Sequence, residues 1–176
     1  MQIDSTPIRC LVVDDEMPAR QAICRQIERH CPNFNVIQTA NGAAEAYQLI
    51  QELAPDVVFL DVQMPNETGL ELLDRFAERN FYVVFCTTFH EYAVEALRRR
   101  AFDYLLKPVD AQDLIACAKK LTHKPRVAAA EEPADTPDEK RVELNTSVTR
   151  FLVRIAEIPT DGANGIATLR YKDKAT

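Results

Sequence analysis

Asp14, Asp15, Asp61 and Lys107 are the residues of this chain that could do chemistry together, because each directly follows an apolar run. Ile8-Arg9-Cys10-Leu11-Val12-Val13 leads into Asp14-Asp15, Val57-Val58-Phe59-Leu60 into Asp61, and Phe102 to Leu106 into Lys107-Pro108. Three carboxylates around one point repel each other, and a divalent cation relieves that cost most simply. With no His or Cys beside them in sequence, an all-oxygen set favours Mg2+ or a similarly hard ion. Such an ion keeps several waters and takes one or two carboxylates plus phosphate oxygens. A cation beside Asp61 would neutralise an incoming phosphoryl group and let the carboxylate attack phosphorus, giving an aspartyl phosphate. Lys107 would bring a second positive charge to the same oxygens. Taken singly, an Asp after a strand is ordinarily a helix cap or turn residue, and a loop Lys is ordinarily solvated. Their coincidence at three strand ends outweighs both.

The elements that must position these residues follow from hydrophobic pattern. The Val57–Asp61 run, bounded by Pro55 and Pro65, reads as a strand buried on both faces and therefore central in a parallel sheet. Open α/β sheets place their chemistry at the carboxyl ends of such strands. Around it the pattern predicts strands over 8–13, 34–39, 81–86 and 102–106. Helices are predicted from Asp15-Glu16-Met17-Pro18 to Cys31, then over 43–53, 70–78, 90–99 and 110–121. Acidic residues and a Pro in the first turn suit the start of the first helix. Five alternations of strand and helix predict an α/β fold, a doubly wound five-stranded parallel sheet with helices on both faces, over residues 1–122.

The sequence changes character after Thr122. Residues 123–140 are rich in Ala, then in Glu, Asp and Pro, and read as a flexible linker that cannot bury a core. Residues 141–176 hold short β-prone runs, Val142 to Asn145, Phe151 to Ile155 and Ile166 to Tyr171, with turn signals at Asp161-Gly162 and Asn164-Gly165. This predicts a short all-β segment with a weak core of its own.

Net charge is −6 over 176 residues, and residues 1–123 carry 18 acidic against 12 basic side chains. That surface as a whole is unsuited to nucleic acid. The tail from 141 carries 6 basic and 4 acidic side chains, too small an excess to imply DNA binding by itself. Arg98-Arg99-Arg100 reads as a solvated cap at a helix carboxyl end. No apolar stretch is long enough for a membrane span, and the polar start lacks the features of a signal peptide. Five cysteines, none spaced C-x-x-C, read as small core residues of a reducing, cytoplasmic compartment.

Residues 8 to about 121 resemble the receiver domain of bacterial two-component response regulators. The resemblance rests on Leu11-Val12-Val13-Asp14-Asp15-Glu16, Val58-Phe59-Leu60-Asp61-Val62-Gln63-Met64-Pro65 with Gly69, and Tyr104-Leu105-Leu106-Lys107-Pro108, in matching order and spacing. It implies a flavodoxin-like fold with Asp61 as phosphoacceptor, supplied by a sensor histidine kinase. By the same resemblance Asp15 binds Mg2+ directly, Asp14 largely through water, and the backbone carbonyl of Gln63 completes the protein ligands. Lys107 pairs with the phosphoryl group or with Asp61, and its bond to Pro108 is cis. Thr87 takes the position of the switch hydroxyl, and Tyr104 that of the aromatic that moves inward behind it. Thr88 stands where the family usually has a smaller residue, which would slow access of water. A phosphatase of the haloacid dehalogenase type also uses an Asp nucleophile with Mg2+, but it needs Asp-x-Asp where this chain has Asp61-Val62-Gln63.

The stretch from Thr87 to Leu97, followed by Ala101 to Val109, is similar to receivers of the LytR/AlgR type, which carry a LytTR DNA-binding domain after a linker. Val142-Glu143-Leu144 and Arg150 to Ile158 resemble the opening strands of that domain. The tail is shorter than a LytTR domain, and the later strands and loops that carry most of that family's DNA contacts have no counterpart in it. Two readings therefore stand. One is a phosphorylation switch with a LytTR-type transcriptional output. The other is a receiver that acts by homodimerisation through its 90–106 face, or through a protein partner, without DNA binding.

Overall fold

The computed structural model describes residues 6–124, 142–145 and 150–153. Within 6–124, five strands alternate with five helices: β1 (Ile8–Val13), α1 (Met17–His30), β2 (Phe34–Ala40), α2 (Ala43–Leu53), β3 (Val57–Leu60), α3 (Gly69–Asp74), β4 (Tyr82–Thr87), α4 (Ala93–Arg98), β5 (Asp103–Leu106) and α5 (Ala111–Thr122). The strands form one sheet in the order β2-β1-β3-β4-β5, and every pairing is parallel. This is the flavodoxin-like arrangement. The strand order reverses between β1 and β3, which opens a crevice at their carboxyl ends.

Alternation along the strands builds two cores. Leu11, Val13, Val58, Leu60, Val83 and Phe85 face α2, α3 and α4. Cys10, Val12, Val57, Phe59, Val84 and Cys86 face α1 and α5. All four residues of β3 are buried, as expected for a central strand covered on both faces. The helices present matching stripes: Ile23 and Ile27 on α1, Ala43, Ala46 and Ile50 on α2, and Leu114, Cys117 and Leu121 on α5. The cysteines of the described chain are all free.

Three helices differ from expectation. α1 opens with Glu16 at its cap and no acidic residue inside the first turn. α3 ends at Asp74, four residues early. Its last turn closes with tighter bonds from Arg75 N–H to Leu72 and from Phe76 N–H to Leu73. Phe76 then packs against Tyr47 and Phe81, ring centroids 5.0 and 5.3 Å apart, instead of continuing the helix. α4 begins at Ala93, because the backbone of Phe89 is held by side chains outside any helix.

Arg99 is not a merely solvated cap. It makes two 2.9 Å hydrogen bonds to Asp74, the fork geometry that suits guanidinium and carboxylate. Of the tail, β6 (Val142–Asn145) pairs antiparallel with β7 (Arg150–Val153). The expected strand over 166–171 and nearly all of the expected linker lie outside the described residues.

Candidate functional site

Asp14, Asp61 and Lys107 are each the first residue beyond a strand, and the backbone of each continues the sheet by one further bond. Asp14 N–H donates to Ala40, Asp61 N–H to Val13, and Lys107 N–H to Thr87, at 3.1, 2.9 and 2.8 Å. The sheet thus fixes the three backbones before any side chain interacts. The register sets Val13 opposite Leu60, Leu60 opposite Phe85 and Phe85 opposite Tyr104, so β1 and β3 end level and β5 runs two residues further before Lys107.

The side chains converge. Lys107 Nζ donates to Asp61 Oδ2 at 2.7 Å and lies 2.6 Å from Asp14 Oδ2. Carboxylate oxygens of Asp14, Asp15 and Asp61 come within 4.8 Å of one another. Asp14 has no solvent exposure and Asp61 has 7%, while Asp15 is half-buried. Burial pushes the Asp14 carboxyl above its ordinary range, and the nearby Lys107 only partly offsets this. For Lys107, burial acts downward, but its contacts with Asp14 and Asp61 outweigh it and hold the ammonium above its ordinary range.

Hydrogen bonds orient the cluster. Glu16 N–H donates to Asp14 Oδ1 at 2.9 Å, and Gln63 N–H approaches Asp61 Oδ1 at 3.3 Å. Asp14 Oδ2 is buried with the Lys107 ammonium as its partner, and that single cation is shared with Asp61. Three carboxylates of mixed exposure converging on one point against a single ammonium, with no imidazole or thiolate among them, fit a hard divalent cation. The peptide between Lys107 and Pro108 is cis.

Thr87 is fully buried, and its Oγ1 accepts from Phe89 N–H at 3.5 Å, which leaves its own proton to donate elsewhere. Tyr104 is 3% exposed, with its ring toward Phe85 and its hydroxyl donating to the Phe89 carbonyl. The ring therefore lies inward, beneath the segment that follows Thr87. Thr88 is exposed.

Three further residues contribute that their types alone did not single out. Arg20 donates to the Asp14 carbonyl at 2.5 Å from one turn into α1. The Gln63 side chain reaches Tyr92. Gly69 packs so tightly on the end of β3 that a Cβ there would lie 2.1 Å from the Asp61 carbonyl oxygen. Of the three, Gly69 alone had a trace in the sequence, as part of the stretch after Asp61 that resembles the receiver family.

Residues 10–119 match the response regulator receiver domain. The chain belongs to that family. An uncharacterised response regulatory protein of Yersinia pestis is 44% identical over 121 residues, which cover 68% of this chain and 49% of that protein. The transcriptional regulatory protein BtsR of Escherichia coli is 33% identical over 169 residues, 96% of this chain and 64% of BtsR. The chain thus spans about half to two-thirds of the length of these relatives. Among solved structures, the response regulatory domain of mrkE from Klebsiella pneumoniae is similar at 31% identity and a TM-score of 0.59, covering 65% of this chain and 94% of that domain. The receiver therefore accounts for the described fold from β1 to α5. Among the described residues, no helix is long and apolar enough to cross a membrane.

Proposed function

We propose that this receiver accepts a phosphoryl group on Asp61 from a sensor histidine kinase and thereby switches a LytTR-type transcriptional output. The observation that carries the reading is the Asp14–Asp15–Asp61 cluster of carboxylates at the strand ends, with a single Lys107 ammonium shared between Asp14 and Asp61. An oxygen of Asp61 forms the new bond to phosphorus as the phosphorus–nitrogen bond of the donor's phosphohistidine breaks and the imidazole keeps the electron pair. Lys107 holds the Asp61 carboxylate in place and meets the charge of the arriving oxygens. Asp14, Asp15, Asp61 and the backbone carbonyl of Gln63 would hold Mg2+. When bound, that ion supplies neutralising charge to the phosphoryl oxygens.

Thr87 then donates its free proton to a phosphoryl oxygen, and Tyr104 follows as the inward aromatic that secures Phe89. The transcriptional part of the reading is supported by the alignment with BtsR, which extends through 96% of this chain and so past the receiver into the tail.

Incubating the 176-residue chain with acetyl phosphate and Mg2+ should add one phosphoryl group, read by intact-mass spectrometry. Asp61→Asn should add none. Labelling that persists in Asp61→Asn would place the acceptor elsewhere.

A further inference from the structure

Gln63 is held at both ends. Its backbone N–H faces Asp61, and its side-chain Nε2 donates to the Tyr92 hydroxyl oxygen at 2.9 Å. Tyr92 is the residue just before α4, and its ring stands edge-on to Phe89 with centroids 6.0 Å apart. Phe89 in turn is tied to Thr87 through its N–H and to Tyr104 through its carbonyl. The segment 87–92 is thus bound to the site twice, from within by Thr87 and Tyr104 and from the surface by Gln63. At its other end α4 is anchored to α3. Arg99 forks onto Asp74, and Arg79 donates to the Arg99 carbonyl.

We propose that Gln63 and Tyr92 form a strap through which the phosphorylation site positions the start of α4, while Asp74 and Arg99 anchor its end. The inference rests on the phosphorylation reading above. Gln63 suits the task because its main chain adjoins Asp61, so any change at that carboxylate moves the root of its side chain. Tyr92 suits it because it is the last rigid group before the helix. The strap coexists here with a buried Tyr104 and a Thr87 proton free to donate, the arrangement that would receive a phosphoryl group. A bond made in one arrangement and lost in another shifts their balance by its own worth, and the shift is reciprocal. For a neutral hydrogen bond that is about two- to tenfold in an equilibrium constant. Both residues act by positioning, since neither side chain touches the reacting atoms.

The test titrates the intact chain calorimetrically with beryllofluoride in excess Mg2+ and follows hydrogen exchange of residues 89–100. Tyr92→Phe keeps the ring and removes only the acceptor, and Gln63→Met keeps length and backbone. Each should weaken beryllofluoride binding by about two- to tenfold and speed exchange at the start of α4. The double variant should be no weaker than either single. Asp74→Asn should speed exchange only at the end of α4 and leave the affinity within about twofold. Unchanged affinity in Tyr92→Phe, additive losses in the double variant, or an equal loss in Asp74→Asn would each overturn the strap. If the unsubstituted chain does not bind beryllofluoride at all, the phosphorylation reading fails instead.

Discussion

Asp14 has no solvent exposure, and it shares the single Lys107 ammonium, 2.6 Å away, with Asp61 while carboxylate oxygens of Asp14, Asp15 and Asp61 lie within 4.8 Å of one another. That crowding of like charge costs stability, which a divalent cation, or the loss of one of the charges, would recover. Asp14→Asn should therefore melt higher than the unsubstituted chain in a chelator, by a few degrees for a domain of this size. Added Mg2+ should raise the melting temperature of the unsubstituted chain by mass action and leave the variant unmoved. A variant that melts lower in chelator, or gains equally from Mg2+, would show that Asp14 serves the fold and not the ion. At this scale the sequence was readable wherever a side chain follows a strand directly, as Asp14, Asp61 and Lys107 do. It was silent on Arg20 and Tyr92, whose contacts depend on helix pitch and on a partner 29 residues away in the case of Gln63 and Tyr92.

Between elements, the approach of α3 to β3 governs how the Asp61 loop is held. Gly69 N–H donates to the Val62 carbonyl at 2.7 Å, and the glycine opens α3 where a Cβ would collide with the Asp61 carbonyl oxygen. Thr68 caps the same helix reciprocally with Glu71, each side chain bonding the other's backbone. Backbone cannot yield as a flexible side chain does, so Gly69→Ala should cost about 1–3 kcal/mol in urea unfolding. Because the displaced group is the Asp61 carbonyl, the variant should also label more slowly with acetyl phosphate. Stability and labelling like those of the unsubstituted chain would mean that α3 shifts freely and does not set the loop. Element identities, the end of β1 at Val13 and the end of α2 at Leu53 were readable from periodicity, which each buried stripe enforces. The ends of α3 and α4 were not. Arg75 to Glu78 and His90 to Tyr92 have helix-compatible composition, and long-range contacts in or beside them hold the chain in other shapes: Phe76 on Tyr47, Arg79 on Arg99, and Tyr104 on Phe89.

For the whole molecule, charge decides what kind of output is physically open. Residues 1–123 carry 18 acidic and 12 basic side chains, so the receiver repels a phosphate backbone, while residues 141–176 carry 6 basic against 4 acidic. An excess that small releases few counterions and gives only weak, salt-sensitive attraction. Selective DNA binding by this chain must then come from two tails held together, and phosphorylation could provide that by pairing receivers through the 90–106 face. The expected outcome is that beryllofluoride with Mg2+ strengthens binding to particular fragments of a genomic pool and that the preference survives a rise in salt. The same additions should shift the chain toward a dimer in sedimentation, with Asp61→Asn inert in both assays. Binding that is unselective and vanishes with salt, alongside a dimer that still forms, would separate the switch from DNA. Within residues 1–176 the output would then be a protein contact made by the paired receivers, and any DNA contact would lie outside them.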